Sequence, residues 1–134
     1  AVAGADQAIV VTTPEKAAVR DADRIIGLLE REKVGMPKLV INRVRSHMVK
    51  NGDMLDVEDI LDLLAIDLLG VVPDDEHVIK SANQGEPAVI HHEARASIAY
   101  RNIARRLLGE AVPLMKLEEK QGVFTRMRKF FGLK

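Results

Sequence analysis

Apolar and polar positions divide the chain into short hydrophobic runs separated by amphipathic segments. Three runs, at residues 8–13, 38–42 and 68–72, are unbroken and rich in β-branched or aliphatic side chains. Runs of this kind predict strands that are buried on both faces, as in a parallel sheet. Because an amphipathic segment follows each run, the order predicts an α/β layered domain with right-handed crossovers between parallel strands.

The amphipathic segments carry start and stop signals of helices. The predicted helices cover about residues 14–32, 57–64, 76–84 and 94–108. Their predicted caps are Thr13 for the first helix, Asp56 for the second, and Asp74 or Asp75 for the third, with Gly85 and Gly109 as terminators of the third and fourth. The residues expected to pack on the sheet are Ala18, Val19, Ala22, Ile25, Ile26 and Leu29 in the first helix, and Ile98, Tyr100, Ile103 and Leu107 in the last.

The last segment, residues 122–134, has a different composition from the rest of the chain. It holds all three phenylalanines and four basic residues without an acid. On a helix its bulky apolar residues fall on one side, which predicts an amphipathic helix that lies in a membrane interface. Docking on the protein's own core is the alternative, but the remaining chain is aliphatic and does not need an aromatic set. The predicted membrane-binding residues are Val123, Phe124, Arg126, Met127, Arg128, Lys129, Phe130, Phe131, Leu133 and Lys134.

Length and charge place these segments in one domain with an appended tail. The chain has 134 residues with 47% apolar and 30% charged content and no cysteine, which excludes a disulfide framework and a thiolate metal site. The predicted organisation is an α/β portion at 1–112, a linker at 113–121 and the helix at 122–134. Residues 1–121 hold 16 basic against 20 acidic residues, so the body is not expected to bind nucleic acid.

Polar residues follow each predicted strand, where parallel sheets bind ligands. Asn42 and Arg43 follow the second strand, and Pro73 and Asp74 follow the third. The Asn amide offers a donor and an acceptor that suit the edge of a purine, and an Arg guanidinium can stack on its face. A turn-forming Asn beside a surface Arg is the alternative that these residues leave open.

Other familiar sites have no counterpart in the sequence. The chain contains neither a glycine-rich loop ending in Lys-Ser/Thr nor a GxGxxG motif. His91, His92 and Glu93 are adjacent, but no further ligand has matching spacing, so a solvated loop is expected rather than a metal site. The alternating charges around Asp21 and Asp23 are typical of a solvated helix face.

Several motifs together resemble one ATPase family, the deviant Walker-A (ParA/MinD) class. They cover the whole chain and occur in the family's order: ADQAIVVTTPE, RDADR, KLVINRVR, LLGVVPDD, NQGEP, ASIAYRNIARRLLGE and FFGLK. The resemblance is to the carboxy-terminal half of Bacillus-like members. It implies part of a P-loop NTPase-type parallel-sheet domain whose phosphate loop precedes Ala1, and the start without Met makes us expect a continuation of a longer protein.

The resemblance also implies roles for particular residues. Asn42 and Arg43 match positions that contact adenine, and Pro73 with Asp74 matches the loop beside it. Three acids match the region used for dimerisation and partner binding: Glu15, Asp21 and Asp23. The terminal helix matches the family's membrane-targeting sequence.

The function implied by the resemblance is ATP-dependent selection of the cell-division site. The parent ATPase would use ATP and Mg²⁺, with Mg²⁺ held through the amino-terminal half, dimerise with ATP, bind anionic lipids at the inner face of the cell membrane, and recruit MinC and, in some members, MinE. The present chain alone is expected to be inactive, because phosphoryl transfer needs the phosphate loop. The alternative is a non-catalytic peripheral membrane adaptor that binds a protein partner.

Overall fold

The computed structural model describes residues 3–117, so the predicted tail helix and its ten membrane-binding residues lie outside the described residues. Three parallel strands form one sheet in the order β1–β2–β3, which confirms the predicted α/β architecture. The strands are β1 (Ile9–Thr12), β2 (Lys38–Val44) and β3 (Asp67–Pro73). The helices are α1 (Lys16–Arg31), α2 (Ser46–Lys50), α3 (Val57–Leu64), α4 (Glu76–Gln84) and α5 (Arg95–Leu107), with a 3-10 turn at Ala88–Ile90.

Helices cover both faces of the sheet and create two hydrophobic clusters. Leu39 and Ile41 of β2 point into the cluster formed with α1 and α3. Val40, between them, points into the cluster formed with α5, because successive side chains of a strand face opposite ways. The sheet therefore sits at the centre of a three-layer arrangement, and its carboxyl edge carries the loops from which α1, α2 and α4 begin.

Two of the predicted helix caps are confirmed and one is wrong. The Asp56 side chain accepts a hydrogen bond from the Asp59 N–H (2.7 Å) at the start of α3, and Asp75 accepts one from His77 N–H (2.9 Å) at the start of α4. Thr13 does not cap α1, which begins at Lys16 without a side-chain cap. The Thr13 hydroxyl donates instead to the Glu15 carboxylate, and Glu15 is the residue that precedes α1.

Burial departs from the predicted pattern at the sheet margin and on two helices. β1 was expected to be buried on both faces, but Ile9 and Val11 are 44% and 59% exposed because the described residues cover only the opposite face. Ile25 is exposed because α1 turns Val19, Ala22, Ile26 and Leu29 to the sheet. Ile98 and Leu107 of α5 are also exposed, contrary to the predicted packing.

The outward position of Ile98 and Leu107 follows from how closely α5 approaches β3. Ala96 and Ala99, both buried, form the contact face of α5. Gly70 provides the matching space on β3, since a Cβ at this position would overlap the Ile103 side chain. Small side chains on both partners therefore set the distance between helix and strand.

Asp75 joins the first turns of α4 and α5. One carboxylate oxygen accepts the His77 N–H and contacts His77 Nδ1 (2.8 Å), and the other accepts the Ala96 N–H (3.0 Å). Burial acts to raise the pKa of Asp75, but the hydrogen bonds from Ala96 and His77 outweigh it, so the pKa lies below its ordinary value of 3.8.

The α5–β3 contact predicts that Gly70→Ala destabilises the protein by about 1–3 kcal/mol, because the new methyl group overpacks the interface against Ile103. Urea denaturation monitored by circular dichroism measures the loss. Gly27→Ala on α1, where a Cβ meets nothing within 4 Å, is the matched control and is expected to be neutral or stabilising. Equal stability of the two variants would contradict the close approach.

The Asp75 contacts predict that Asp75→Asn lowers the free energy of unfolding at pH 7 by about 1–3 kcal/mol, because charge-assisted hydrogen bonds to two helices are weakened. A depressed folded-state pKa contributes stability above the unfolded-state value, and this contribution is lost as the pH falls through the folded-state pKa. The wild-type protein should therefore lose stability below about pH 4 more steeply than the variant. Denaturation series at several pH values test this, with Asp56→Asn, which retains a capping side chain on α3 alone, as control.

Candidate functional site

A cavity of about 250 Å³ opens at the carboxyl edge of the sheet. All four residues predicted for the adenine-binding site line it: Asn42, Arg43, Pro73 and Asp74. The remaining lining residues are Asp75, Val78, Ile79 and Tyr100. The structure thus brings together residues from the ends of β2 and β3 and from α4 and α5.

An irregularity in β2 directs Asn42 and Arg43 toward this cavity. Ile41 pairs with Val71 and Val44 pairs with Pro73, so β2 contains one residue more than β3 over this interval. Arg43 adopts φ +58°, a left-handed conformation that is uncommon for a residue with a side chain. An extra residue of this kind is a β-bulge, which bends the strand and re-aims its side chains. The strand extends to Val44, two residues beyond the predicted run at 38–42.

The bulge leaves one side of the Asn42 amide available. Its Oδ1 accepts the N–H of Arg43 (2.9 Å), which orients the side chain. Within residues 3–117 the Nδ2 amine makes no hydrogen bond, and the oxygen keeps a second lone pair. The amide can therefore offer a donor and an acceptor side by side to a ligand.

Asp74 holds two arginines at the mouth of the cavity. Arg45 Nε lies 2.7 Å from Asp74 Oδ2, a distance typical of a charge-assisted hydrogen bond. Arg43 Nε lies farther away, 3.8 Å from Oδ1, and its side chain is 64% exposed. Arg45 is therefore the closer partner of the carboxylate, and the exposed Arg43 guanidinium remains able to contact a planar ligand.

Another part of the lining is largely apolar, and of its residues only Pro73 was predicted from the sequence. Pro73 is buried at the end of β3, and Val78, Ile79 and Tyr100 extend the surface from α4 and α5. Tyr100 is the sole Phe, Tyr or Trp residue before residue 122, and this was the only feature of the sequence that could have marked it as a ligand-binding residue. No local pattern could reveal that α5 returns to this edge, because that placement depends on packing against β3.

The three acids expected at a dimer or partner face do not form one cluster. Glu15 is the residue before α1, and Asp21 and Asp23 both lie exposed on that helix. Asp21 is 3.6 Å from Arg24, whereas Asp23 lines a groove of about 270 Å³ between α1 and α3. Two residues along a helix correspond to about 200° of rotation, so Asp21 and Asp23 face different directions.

Neither a membrane-spanning helix nor a metal-binding group is found in the part of the chain that the structure describes. None of the helices within residues 3–117 has the length and apolar character needed to cross a membrane. Among the same residues no three His, Asp or Glu side chains are grouped so that they could hold a metal ion. His91 lies 3.8 Å from Glu86 and its ring is 6.4 Å from that of His77.

Comparison with known proteins gives consistent matches over nearly the whole chain. The ParA family model, described as NUBPL iron-transfer P-loop NTPase, matches residues 2–108. The septum site-determining protein MinD of Bacillus subtilis is 60% identical over 100% of this chain and 51% of its own length. The solved MinD cell division protein of Aquifex aeolicus superposes with a TM-score of 0.84 at 44% identity, covering 87% of this chain and 49% of that chain.

A second solved structure, the MinC:MinD cell division protein complex of Aquifex aeolicus, has a TM-score of 0.84 at 43% identity and covers 88% of this chain and 49% of that chain. The chain spans about half the length of the curated relatives that it matches. The family match, the parallel sheet and the motif order agree, and this chain belongs to the ParA/MinD family of P-loop NTPases.

Proposed function

We propose that this chain supplies the adenine-binding side of a membrane-associated ATPase that selects the cell-division site. The observation that carries the proposal is the cavity at the carboxyl edge, where Asn42 and Arg43 face an apolar wall that includes Pro73 and Tyr100. A flat purine fits this arrangement chemically. Its edge would meet the Asn42 amide, one face would meet the Arg43 guanidinium, and the other would meet the apolar wall.

The recognition of adenine rather than another base would depend on Asn42. Adenine presents a donor at N6 and an acceptor at N7, and an Asn side chain pairs with both in a bidentate contact. The Asn42 oxygen retains a free lone pair, and its amine has no partner within residues 3–117. The hydrogen bond to the Arg43 N–H fixes the amide before a ligand arrives, which reduces the entropic cost of binding.

The phosphate end of the nucleotide is not assigned to residues of this chain. Phosphoryl transfer requires a cradle of backbone amides, a lysine and Mg²⁺, and no such loop is present in this sequence. The described residues also lack a group of side chains that could hold Mg²⁺. In the proposal, a longer parent protein provides these parts, and the 134-residue chain alone does not hydrolyse ATP.

Partner recruitment is the second element of the proposal. A related protein has been solved in complex with MinC, and MinC is the partner that we propose for the parent protein. The exposed α1 helix, with Asp21 and Asp23, offers charged side chains on two faces, so an ATP-bound homodimer and a regulator such as MinE could use different sides of the same helix.

Membrane attachment is the third element, and it is based on the sequence of residues 122–134. Each of the four basic residues would contribute about 1 kcal/mol at an anionic surface, and each inserted apolar side chain about 1–2 kcal/mol. Ordering the segment costs about 1–2 kcal/mol per residue, so a single tail is close to break-even. Two tails joined in an ATP-bound dimer would bind more tightly through effective concentration, which makes membrane location depend on dimerisation.

The adenine contact predicts that Asn42→Asp in the longer parent protein weakens ATP binding about 10- to 100-fold, since a bidentate base contact contributes about 1–3 kcal/mol. Aspartate keeps an acceptor for the Arg43 N–H but removes the amine donor. Isothermal titration calorimetry with ATP measures the change. Asn83→Asp, at an exposed position of α4 outside the cavity, is the matched control and should bind ATP normally. Equal affinity of both variants would count against the adenine site, and a wild-type parent that binds no ATP would favour the adaptor function.

The membrane-binding prediction concerns Phe130→Glu in the parent protein. Removing one inserted aromatic side chain and adding a negative charge should lower binding to anionic vesicles at least about tenfold without changing ATP affinity. Co-sedimentation with phosphatidylglycerol-containing vesicles measures binding. Thr125→Glu adds the same charge on the predicted polar side, so it should cause a smaller loss. If both variants lose binding equally, charge alone explains attachment and the predicted apolar face is wrong.

A further inference from the structure

Arg45 lies outside the lining of the candidate adenine cavity but holds one of its lining residues. Its Nε donates to Asp74 Oδ2 at 2.7 Å, and Asp74 lines the cavity. The second arginine near this carboxylate, Arg43, also lines the cavity, and its Nε lies 3.8 Å from Asp74 Oδ1. A single carboxylate therefore stands between an arginine that lines the ligand cavity and an arginine that does not.

The backbone at these three positions is restrained by contacts of its own. The Asp74 N–H donates to the carbonyl of Val44 (3.0 Å), the residue between the two arginines. The Arg45 carbonyl accepts the Val49 N–H (3.1 Å) in the first turn of α2, and Arg43 sits in the β-bulge with φ +58°. Because the main chain is held at each position, an exchange of partners among the three charged groups takes place by rotation of their side chains.

The separation of Arg43 from Asp74 is just beyond a hydrogen bond. An N–H···O bond spans about 2.7–3.2 Å, so Arg43 Nε and Asp74 Oδ1 would need to approach by about 1 Å to form one. The neighbouring acid, Asp75, is not a comparable partner, because both of its oxygens accept hydrogen bonds from the first turns of α4 and α5. Of the two acids that line the cavity, Asp74 is therefore the one that competes for the Arg43 guanidinium.

Arg45 weakens this competition by charge compensation. With Arg45 at hydrogen-bond distance, the carboxylate belongs to a pair without net charge, which attracts a further guanidinium less than a free carboxylate does. Without Arg45, the full charge of Asp74 would draw the Arg43 Nε–H into a direct hydrogen bond. Such a bond lies in the plane of the guanidinium and fixes its orientation, whereas stacking requires the plane to turn parallel to the base. Binding of a purine would then compete with the ion pair.

We propose that Arg45 is a positioning residue of the nucleotide site, which holds Asp74 so that the Arg43 guanidinium stays free to stack on the base. The inference rests on the proposed adenine site for its ligand, and it assigns Arg45 no contact with the nucleotide. An exposed ion pair forms with an equilibrium constant of about 1.5–5. Apparent affinity falls in proportion to the fraction of molecules that are competent to bind, so the expected effect of losing Arg45 is about two- to fivefold.

Isothermal titration calorimetry of the full-length parent protein with Mg-ADP tests the proposal. Arg45→Met keeps an unbranched side chain but removes the charge, and it should weaken ADP binding about two- to fivefold. Arg45→Lys, which keeps a positive charge opposite Asp74, should recover most of this loss. In the NMR spectrum of nucleotide-free Arg45→Met, the Arg43 Nε–H should exchange with water more slowly than in the wild type, because it has gained a hydrogen bond.

Two double-variant cycles separate positioning from a general structural role. If Arg45 acts through Arg43, Arg45→Met should cause no further loss in a protein that already carries Arg43→Met. If it acts through Asp74, the same substitution should cause no further loss in a protein that carries Asp74→Asn, which lacks the attracting charge. Damage to the chain before α2 would instead weaken ADP binding in every background.

Arg105→Met is the matched control, because Arg105 Nε also lies 2.7 Å from a carboxylate, that of Glu110, and lies outside the cavity. It should bind ADP with wild-type affinity, and melting curves verify that all variants fold. Wild-type affinity of Arg45→Met, or an equal loss in every background, overturns the positioning role while the nucleotide site stands. An unchanged Arg43 Nε–H signal in Arg45→Met overturns it as well. A wild-type parent protein that does not bind ADP refutes the proposed function, and the positioning role falls with it.

Discussion

The parallel pairing of β2 with β3 is the constraint on which the rest of the structure depends. These strands are covered by helices on both faces, and their central residues Leu39, Ile41 and Val72 are almost inaccessible to solvent. Burial on both sides restricts the register, because a slip of a whole strand by one residue would turn every side chain to the opposite layer. The register changes at two places: β3 holds one extra residue opposite Leu39 and Val40, and β2 holds one extra residue after Ile41, at the carboxyl end where Asn42 and Arg43 lie.

The same pairing places chemically different groups at one edge. Polar groups arrive from the ends of β2 and β3, and apolar groups arrive from α4 and α5. Asp75 is central to this assembly, because it binds the first turns of both helices and lies next to Asp74, which holds two arginines. The cavity is consequently lined by groups that are held by direct contacts to neighbouring elements.

The sequence by itself determined the order of strands and helices, the caps at Asp56 and Asp75, and the polar character of the strand ends. These features depend on neighbours within a few residues, where propensity, capping and periodicity act directly. The sequence could not reveal that Ile25, Ile98 and Leu107 are exposed, because the face that each helix turns to the sheet depends on packing between distant residues. On α5 this packing includes the close contact of Ile103 with Gly70 of β3.

Only the tertiary structure decided the walls of the cavity and the course of residues 110–117. Tyr100 reaches the cavity, and Leu117 reaches Ser46, across long stretches of sequence. These long-range contacts are determined by helix–sheet packing and by the extra residue in β2. The left-handed conformation of Arg43 was not predicted from any local sequence pattern. Local chemistry thus supplied the candidate residues, and long-range packing determined which of them meet.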